Sequence, residues 1–462
     1  MSQTTNADTT NKFWWQHMTS YHWFVFIVAS AAWFFDCLDQ RLFSLARVSA
    51  LSSLIDMPSS SNEVQALGKQ VTAWFLIGWG IGGLLFGALG DRYGRARMLT
   101  VTILTYSLFT GLSFFSVSWI DFTIYRFLTG LGVGGVFGLA VALIAETVVP
   151  SARTQCLGML QVLSTIGNLS AGGAKYTVDA LEASHTISEG WRYMFLIGAL
   201  PALMVIFTGW YLREPETWLK LKEEGKLPKG GIFSPYFSLM KSVRWRKNLI
   251  VGALLAMTGV VGLWAIGEYA VDLQNAVFGS YYAETMPDAD EATRKLAVQN
   301  AKTNGFMLNM LGAAVGMWLF TQMAIIIGRK PSFVIGFTSA LLITFFVYWK
   351  METPTDAYWM MPLMGAAQLG PFAGFAIYLP ELFPGSLRST GTSFCYNLGR
   401  FAAAIGSFFS YILTKNVFGG FDPPLPYRYS AMVMCSIFVV GIVAAFFGPE
   451  TKGAALPEES TD

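Results

Sequence analysis

The chain has 462 residues, 53% hydrophobic, 15% aromatic and only 13% charged, with a formal net charge of +2. Soluble domains carry roughly a quarter of their residues as charges, so this chain is too poor in charge to cover a water-facing surface and reads as a membrane protein. The near-neutral balance gives no basis for a nucleic-acid partner. Cys37, Cys156, Cys395 and Cys435 sit in apolar stretches without metal-ligand spacing, which argues against a disulfide framework or a zinc site.

A tail, residues 1–20, opens the chain; its first part, Met1 to Lys12, is polar and expected to be disordered. Ala29-Ser30-Ala31 mimics a signal-peptidase site, but the apolar stretch runs on through Ala32-Trp33-Phe34-Phe35, where a signal peptide should end. Crossing the hydrocarbon core takes roughly 20 apolar residues. Such stretches fall near Tyr21–Leu45, Lys69–Leu89, Met98–Val117, Phe122–Ala145, Cys156–Tyr176 and Tyr193–Leu212. A charged segment, residues 213–247, follows and reads as a solvated linker, flexible at Pro228-Lys229-Gly230-Gly231. Six more spans lie near Leu249–Leu273, Gly305–Ile327, Phe333–Trp349, Tyr358–Leu382, Gly391–Leu413 and Tyr429–Phe447, and residues 448–462 close the chain.

The two sets of six carry the same landmarks. Gly94-Arg95 recurs as Gly328-Arg329 and Pro215-Glu216-Thr217 as Pro449-Glu450-Thr451, both 234 residues on, and Glu146…Arg153 recurs as Glu381…Arg388, 235 on. The expected architecture is therefore an all-α membrane protein of twelve transmembrane helices in two pseudo-symmetric six-helix bundles, residues 21–212 and 248–447. In secondary transporters such halves rock about a substrate site held between them. Lys and Arg number 18 in one set of alternate loops and 10 in the other. The richer set should face the cytoplasm, which places both termini inside a plasma (cytoplasmic) membrane.

Gly87-Ala88-Leu89-Gly90-Asp91-Arg92-Tyr93-Gly94-Arg95-Ala96-Arg97, between spans two and three, resembles the signature loop of the major facilitator superfamily. Glu146-Thr-Val-Val-Pro150-x-x-Arg153 and Pro380-Glu381-Leu-Phe-Pro384-x-x-x-Arg388 resemble loops of its sugar porters and metabolite–proton symporters. Asp36-x-x-Asp39, Gly262-Leu263-Trp264 and Tyr396-Asn397-Leu398-Gly399-Arg400 lean toward the metabolite branch, which includes symporters of organic anions. The second signature loop has Ile325 and Ile326 where Asp91 and Arg92 stand in the first. The resemblance implies the major facilitator fold, a small-molecule substrate, protons as the coupling ion and a functional monomer.

Charges inside a membrane are costly and tend to face partners, water or substrate. Asp39 of span one and Arg126 of span four fall at comparable depth and are expected to form a proton switch, with Asp36 as a second acid. The alternative is a permanent ion pair that fixes the two spans. Arg41 reads as a snorkelling side chain. Arg400, near the middle of span eleven, is a natural clamp for a carboxylate because its fork binds two oxygens; the alternative is an ion pair with Glu268 or Asp272 of span seven. Asn397 and Gln161, 236 residues apart, are near-equivalent amides, and Gln161 resembles a sugar-porter glutamine that contacts substrate. Interhelical hydrogen bonding is the bland reading for both. Gln368, Trp264 and Tyr378 are weaker candidates for the same site.

Asp91, with Arg92 and Arg95 beside it, is expected to bridge basic residues or helix N-termini across the inner mouth. Glu146–Arg153 and Glu381–Arg388 are expected to form similar latches that break as the protein opens inward. Gly130, Gly132, Gly134, Gly135 and Gly138 lie in an apolar helix and read as close-packing residues rather than a phosphate loop. His17, His22 and His185 all fall away from mid-membrane. No cofactor, metal or catalytic cluster is expected. The function expected is proton-coupled import of a small organic anion such as a carboxylate or sugar acid. A sugar or polyol transporter and a non-transporting nutrient sensor are the alternatives.

Overall fold

A computed structural model describes residues 13–59 and 61–458, with Glu268 placed by its backbone alone. The expected disorder of Met1 to Lys12 lies outside the described residues. All twelve expected spans are helical. Spans one to five are Ser20–Leu54, Asn62–Tyr93, Arg95–Leu112, Trp119–Thr147 and Pro150–Ala183. Span six is broken at Pro201 into Gly190–Gly198 and Ala202–Tyr211, because the ring removes a donor and crowds the preceding turn. Span seven runs from Val243–Val261 through a π-helical turn, Gly262–Ile266, into Gly267–Thr285. Spans eight to ten are Glu291–Ile326, Arg329–Lys350 and Pro354–Glu381. Span eleven is Arg388–Ile412 with a π-helical end, and span twelve is split into Leu425–Met434 and Ile437–Phe447.

Most of these helices are several residues longer than the apolar stretches, because they continue beyond the oily core into polar sequence. Ten spans are long and apolar enough to cross a membrane by length and composition. Spans five and eleven fall short. Both lie at the interface of the halves: span eleven packs on spans two and four, and span five on spans eight and ten. Each therefore has one face that meets protein rather than lipid, and that face tolerates Gln161, Asn397 and Arg400.

The linker is more ordered than a solvated coil. It holds helices Glu216–Glu223 and Ser234–Lys241, and Trp218 is buried. The glycines of span four act as expected. A Cβ at Gly130 or Gly134 would run into the backbone of span two, one at Gly132 into that of span three, and one at Gly138 into Ser393 of span eleven. Small residues there let four helices approach closely.

Candidate functional site

At one end of the bundle, here the charged end, the two signature loops form matching caps. Gly94 and Gly328 have φ of +114° and +102°, a conformation open to glycine and strained for other residues. A Cβ at either would also press on a carboxylate, Glu214 or Glu450. Glu214 accepts from the backbone N–H of Ala96 and Arg97 at the start of span three. Glu450 does the same for Arg329 and Lys330 at the start of span nine. Carboxylates stabilise helix N-termini through the unsatisfied N–H groups there. The residue equivalent to Glu450 is thus Glu214 and not Glu216, its match in the sequence repeat.

Asp91 reaches across to the other half. Its carboxylate accepts from Ser389 N (3.1 Å), Thr390 N (2.8 Å) and Thr390 Oγ1 (2.6 Å), capping span eleven, and pairs with Arg95 at 3.0 Å. Ile325 has no carboxylate with which to cap span five, so this tie is seen once among the described residues. The expected latches are wired differently. Glu146 pairs not with Arg153 but with Arg388 of the other half (2.8 Å) and with Arg95 (3.2 Å). Glu381 pairs not with Arg388 but with Arg329 (2.7 Å), whose Nη2 donates to Thr154 across the seam at 2.9 Å. Arg153 lies within the field of both Glu381 and Glu146. Spacing along a loop suggested local pairs, whereas packing the halves face to face gives Glu146 a partner across the seam and leaves Glu381 to Arg329. Arg95 also donates to Gly385 O, and the Gln155 and Gln322 amides exchange hydrogen bonds at 3.2 Å. Arg92, partly exposed, donates to Gly230 O in the linker at 2.7 Å and does not join the cross-half network.

Further in, rings from both halves meet. Tyr396 of span eleven stacks on Phe137 of span four, with centroids 3.8 Å apart, and stands edge-on to Trp33 of span one at 6.1 Å. Trp33 Nε1 donates to Gln161 Oε1 at 2.9 Å, leaving Gln161 Nε2 buried and unpaired. The Arg400 guanidinium carbon lies 3.1 Å from the centroid of Trp79 in span two and 5.3 Å from Tyr396. Among the described residues Arg400 makes no ion pair or hydrogen bond, and its Nε is buried. Its acidic neighbour is Asp36 rather than Asp272, which interacts with Lys302; the Glu268 side chain lies outside the described residues. Asp36 is fully buried, and one oxygen accepts weakly from Gln40 at 3.4 Å. Asn397 donates to Ser393 O and Gly134 O and leaves Oδ1 unpaired.

Asp39 and Arg126 do meet, both fully buried, but at 3.7 Å the pair is loose beside the 2.7–2.9 Å of a charge-assisted hydrogen bond. Thr110 Oγ1 donates to Asp39 at 2.9 Å. Arg126 is held mainly by Ser113 Oγ and by the rings of Phe195 and Phe43. Gln368 is not brought to this group: its amide donates to Thr344 of span nine, a helix that packs within its own half. Tyr378 donates to Pro449 O at the charged end. Trp264 sits exposed on the π turn of span seven. Sequence reasoning missed Trp33, Trp79 and Phe137 as site residues, since aromatic residues are abundant throughout. Their one distinguishing sign is placement on spans that also carry buried charge or glycine.

Residues 24–462 match the family described as Sugar (and other) transporter. A putative metabolite transport protein of Haemophilus influenzae is 29% identical over 447 residues, covering 95% of this chain and 99% of that one. The cis,cis-muconate transport protein of Acinetobacter baylyi is 28% identical, covering 71% and 74%. A solved proton:xylose symporter of the major facilitator superfamily superposes with a TM-score of 0.71 at 20% identity, covering 95% and 98%. With its twelve helical spans in two bundles and this match over nearly its whole length, the chain belongs to the sugar (and other) transporter family, as a multi-pass membrane transporter of the major facilitator fold and not an enzyme.

Proposed function

We propose that the protein is a proton-coupled symporter that imports a small, flat organic anion across the cytoplasmic membrane, with the charged end and both termini facing the cytoplasm. The observation that carries this reading is Arg400. It is a guanidinium at the seam of the halves with no ion pair among the described residues, laid against Trp79 and flanked by Tyr396. An unpaired cation in a membrane is expensive unless cargo or water meets it. A conjugated or ring carboxylate suits it twice, offering two oxygens to the fork and a π face to Trp33, Phe137 and Tyr396. The relative that carries cis,cis-muconate has cargo of this kind.

Asp36 supplies the coupling. Lying in the field of Arg400, its ionised form competes with a cargo carboxylate for the same cation. A proton on Asp36 removes the competitor, so proton and anion enter together. The loose Asp39–Arg126 pair is the second switch, with Thr110 and Ser113 ready to hold each partner when the other leaves. Release then needs the charged-end latch of Asp91, Arg95, Glu146 and Arg388 to part and hydrate. The free Gln161 Nε2 and Asn397 Oδ1 favour a second reading, a neutral sugar held through its hydroxyls. In proteoliposomes an imposed inward proton gradient should accelerate carboxylate uptake at least tenfold. Uptake indifferent to pH would remove Asp36 and Asp39 from coupling.

A further inference from the structure

Arg41 is a further cation within a span, beside Arg400 and Arg126, and the transport scheme above does not use it. Its guanidinium carbon lies 4.3 Å from the ring centroid of Phe306, which belongs to span eight of the other half. Among the described residues it makes no hydrogen bond and no ion pair. Helix geometry sets its depth. At 1.5 Å per residue, Arg41 stands ~31 Å from the charged end of span one and Phe306 ~30 Å from that of span eight, whereas Arg400 stands ~18 Å along span eleven. The contact therefore lies ~13 Å beyond Arg400, toward the far end.

The two ends are joined unequally. Carboxylates, guanidinium groups and backbone donors tie the charged end through Asp91, Glu146 and Arg388. At the depth of Arg41 the polar tie among the described residues is a cation lying on a ring. Such a contact contributes about 0.5–2 kcal/mol, less than one bidentate carboxylate offers the same guanidinium. An anion arriving from the far end can therefore displace Phe306 and take its place.

We propose that Arg41 and Phe306 close the seam between the halves at its far end and that Arg41 is the first cation to receive the cargo carboxylate. The closure stands on geometry alone; the capture rests on the organic-anion reading. Arg41 then discriminates before Arg400 does. A neutral solute has nothing with which to release the cation from the ring, while a carboxylate opens its own path and passes inward.

Cys37 offers a reporter already in the chain. It lies one helical turn inward of Arg41 and is 7% exposed. With Cys156, Cys395 and Cys435 replaced by serine, Cys37 would be alkylated in proteoliposomes by an impermeant maleimide, with no cargo present. Arg41→Gln and Phe306→Leu should each raise the rate about fivefold, and Arg41→Lys, which keeps a cation on the ring, should stay within about twofold of the parent. Unchanged rates in both Arg41→Gln and Phe306→Leu would overturn the closure. Uptake of radiolabelled nicotinate and cis,cis-muconate tests capture. Arg41→Gln should raise KM about tenfold at similar kcat, and Phe306→Leu should leave KM within about twofold. An unchanged KM in Arg41→Gln would overturn capture. Wild-type protein that takes up neither carboxylate would count against the anion cargo itself, with the labelling rates still deciding the closure.

Discussion

Replacing Asp91 by Asn should release the latch at the charged end. Asp91 holds Arg95 within its own half, and that pair survives either conformation, so it does not count toward the equilibrium. The three hydrogen bonds from Ser389 and Thr390 do count, because they cross the seam and must break on opening. An amide keeps one acceptor oxygen and turns an NH2 toward donors. With about 1.5–3 kcal/mol for each hydrogen bond to a charged group, losing one or two of them shifts the balance by about 3 kcal/mol, or roughly 100-fold. Nitroxides at Ser151 and Ile326, exposed positions at the charged ends of spans five and eight, would report it by pulsed electron–electron distance measurement. Asp91→Asn should populate a longer distance, and Arg92→Gln, which alters a tie to the linker and a contact with the neighbouring Tyr93 ring but none across the halves, should match the parent. A distance distribution in Asp91→Asn that superimposes on the parent's would refute the latch.

Three further outcomes are expected. Gly94→Ala should cost about 2 kcal/mol or more, since its φ of +114° is strained for alanine and its Cβ meets Glu214; Gly172→Ala, with open space around it, should leave the melting temperature unchanged. Asp36→Asn should raise carboxylate affinity at neutral pH and flatten its pH dependence in equilibrium binding, whereas wild-type affinity should climb as pH falls. At Glu450 burial pushes the carboxyl up, but backbone N–H groups of Arg329, Lys452, Lys330 and Thr451 outweigh it and hold it below the usual range. Its stabilising contribution is therefore complete above the ordinary glutamate value of about 4.3 and fades as pH falls through the lower folded value. Thermal unfolding of Glu450→Gln and wild type should accordingly differ at pH 7 and converge under strong acid.

The fold was legible because its signals are local. Apolar length marked the spans, and Gly94 and Gly328 marked turns that favour glycine. The bridge from Asp91 to the start of span eleven was legible too, since an acid at a helix end can accept from the N–H groups of a facing helix. Partner choice was not. Glu146 and Arg153 are close in sequence, yet Glu146 spends its charge on Arg388, 242 residues away, because the pairing arises only when two homologous faces meet. The same holds for the acid facing Arg400: among the described residues it is Asp36 of span one and not Asp272 of span seven. The ring cluster stayed hidden in a chain with 37 Phe, 15 Trp and 18 Tyr, where no spacing singles out Trp33, Trp79 or Phe137.

The claim on which the rest depends is that Arg400 holds a carboxylate. Nicotinate and nicotinamide share a ring and differ in charge, and cis,cis-muconate and xylose extend the comparison. Thermal stabilisation of the purified protein by each of the four, in wild type and in Arg400→Gln, tests the claim directly. The account predicts that one or both carboxylates raise the melting temperature of the wild type, that nicotinamide and xylose do not, and that Arg400→Gln abolishes the shift. Stabilisation by xylose that persists in Arg400→Gln would contradict it.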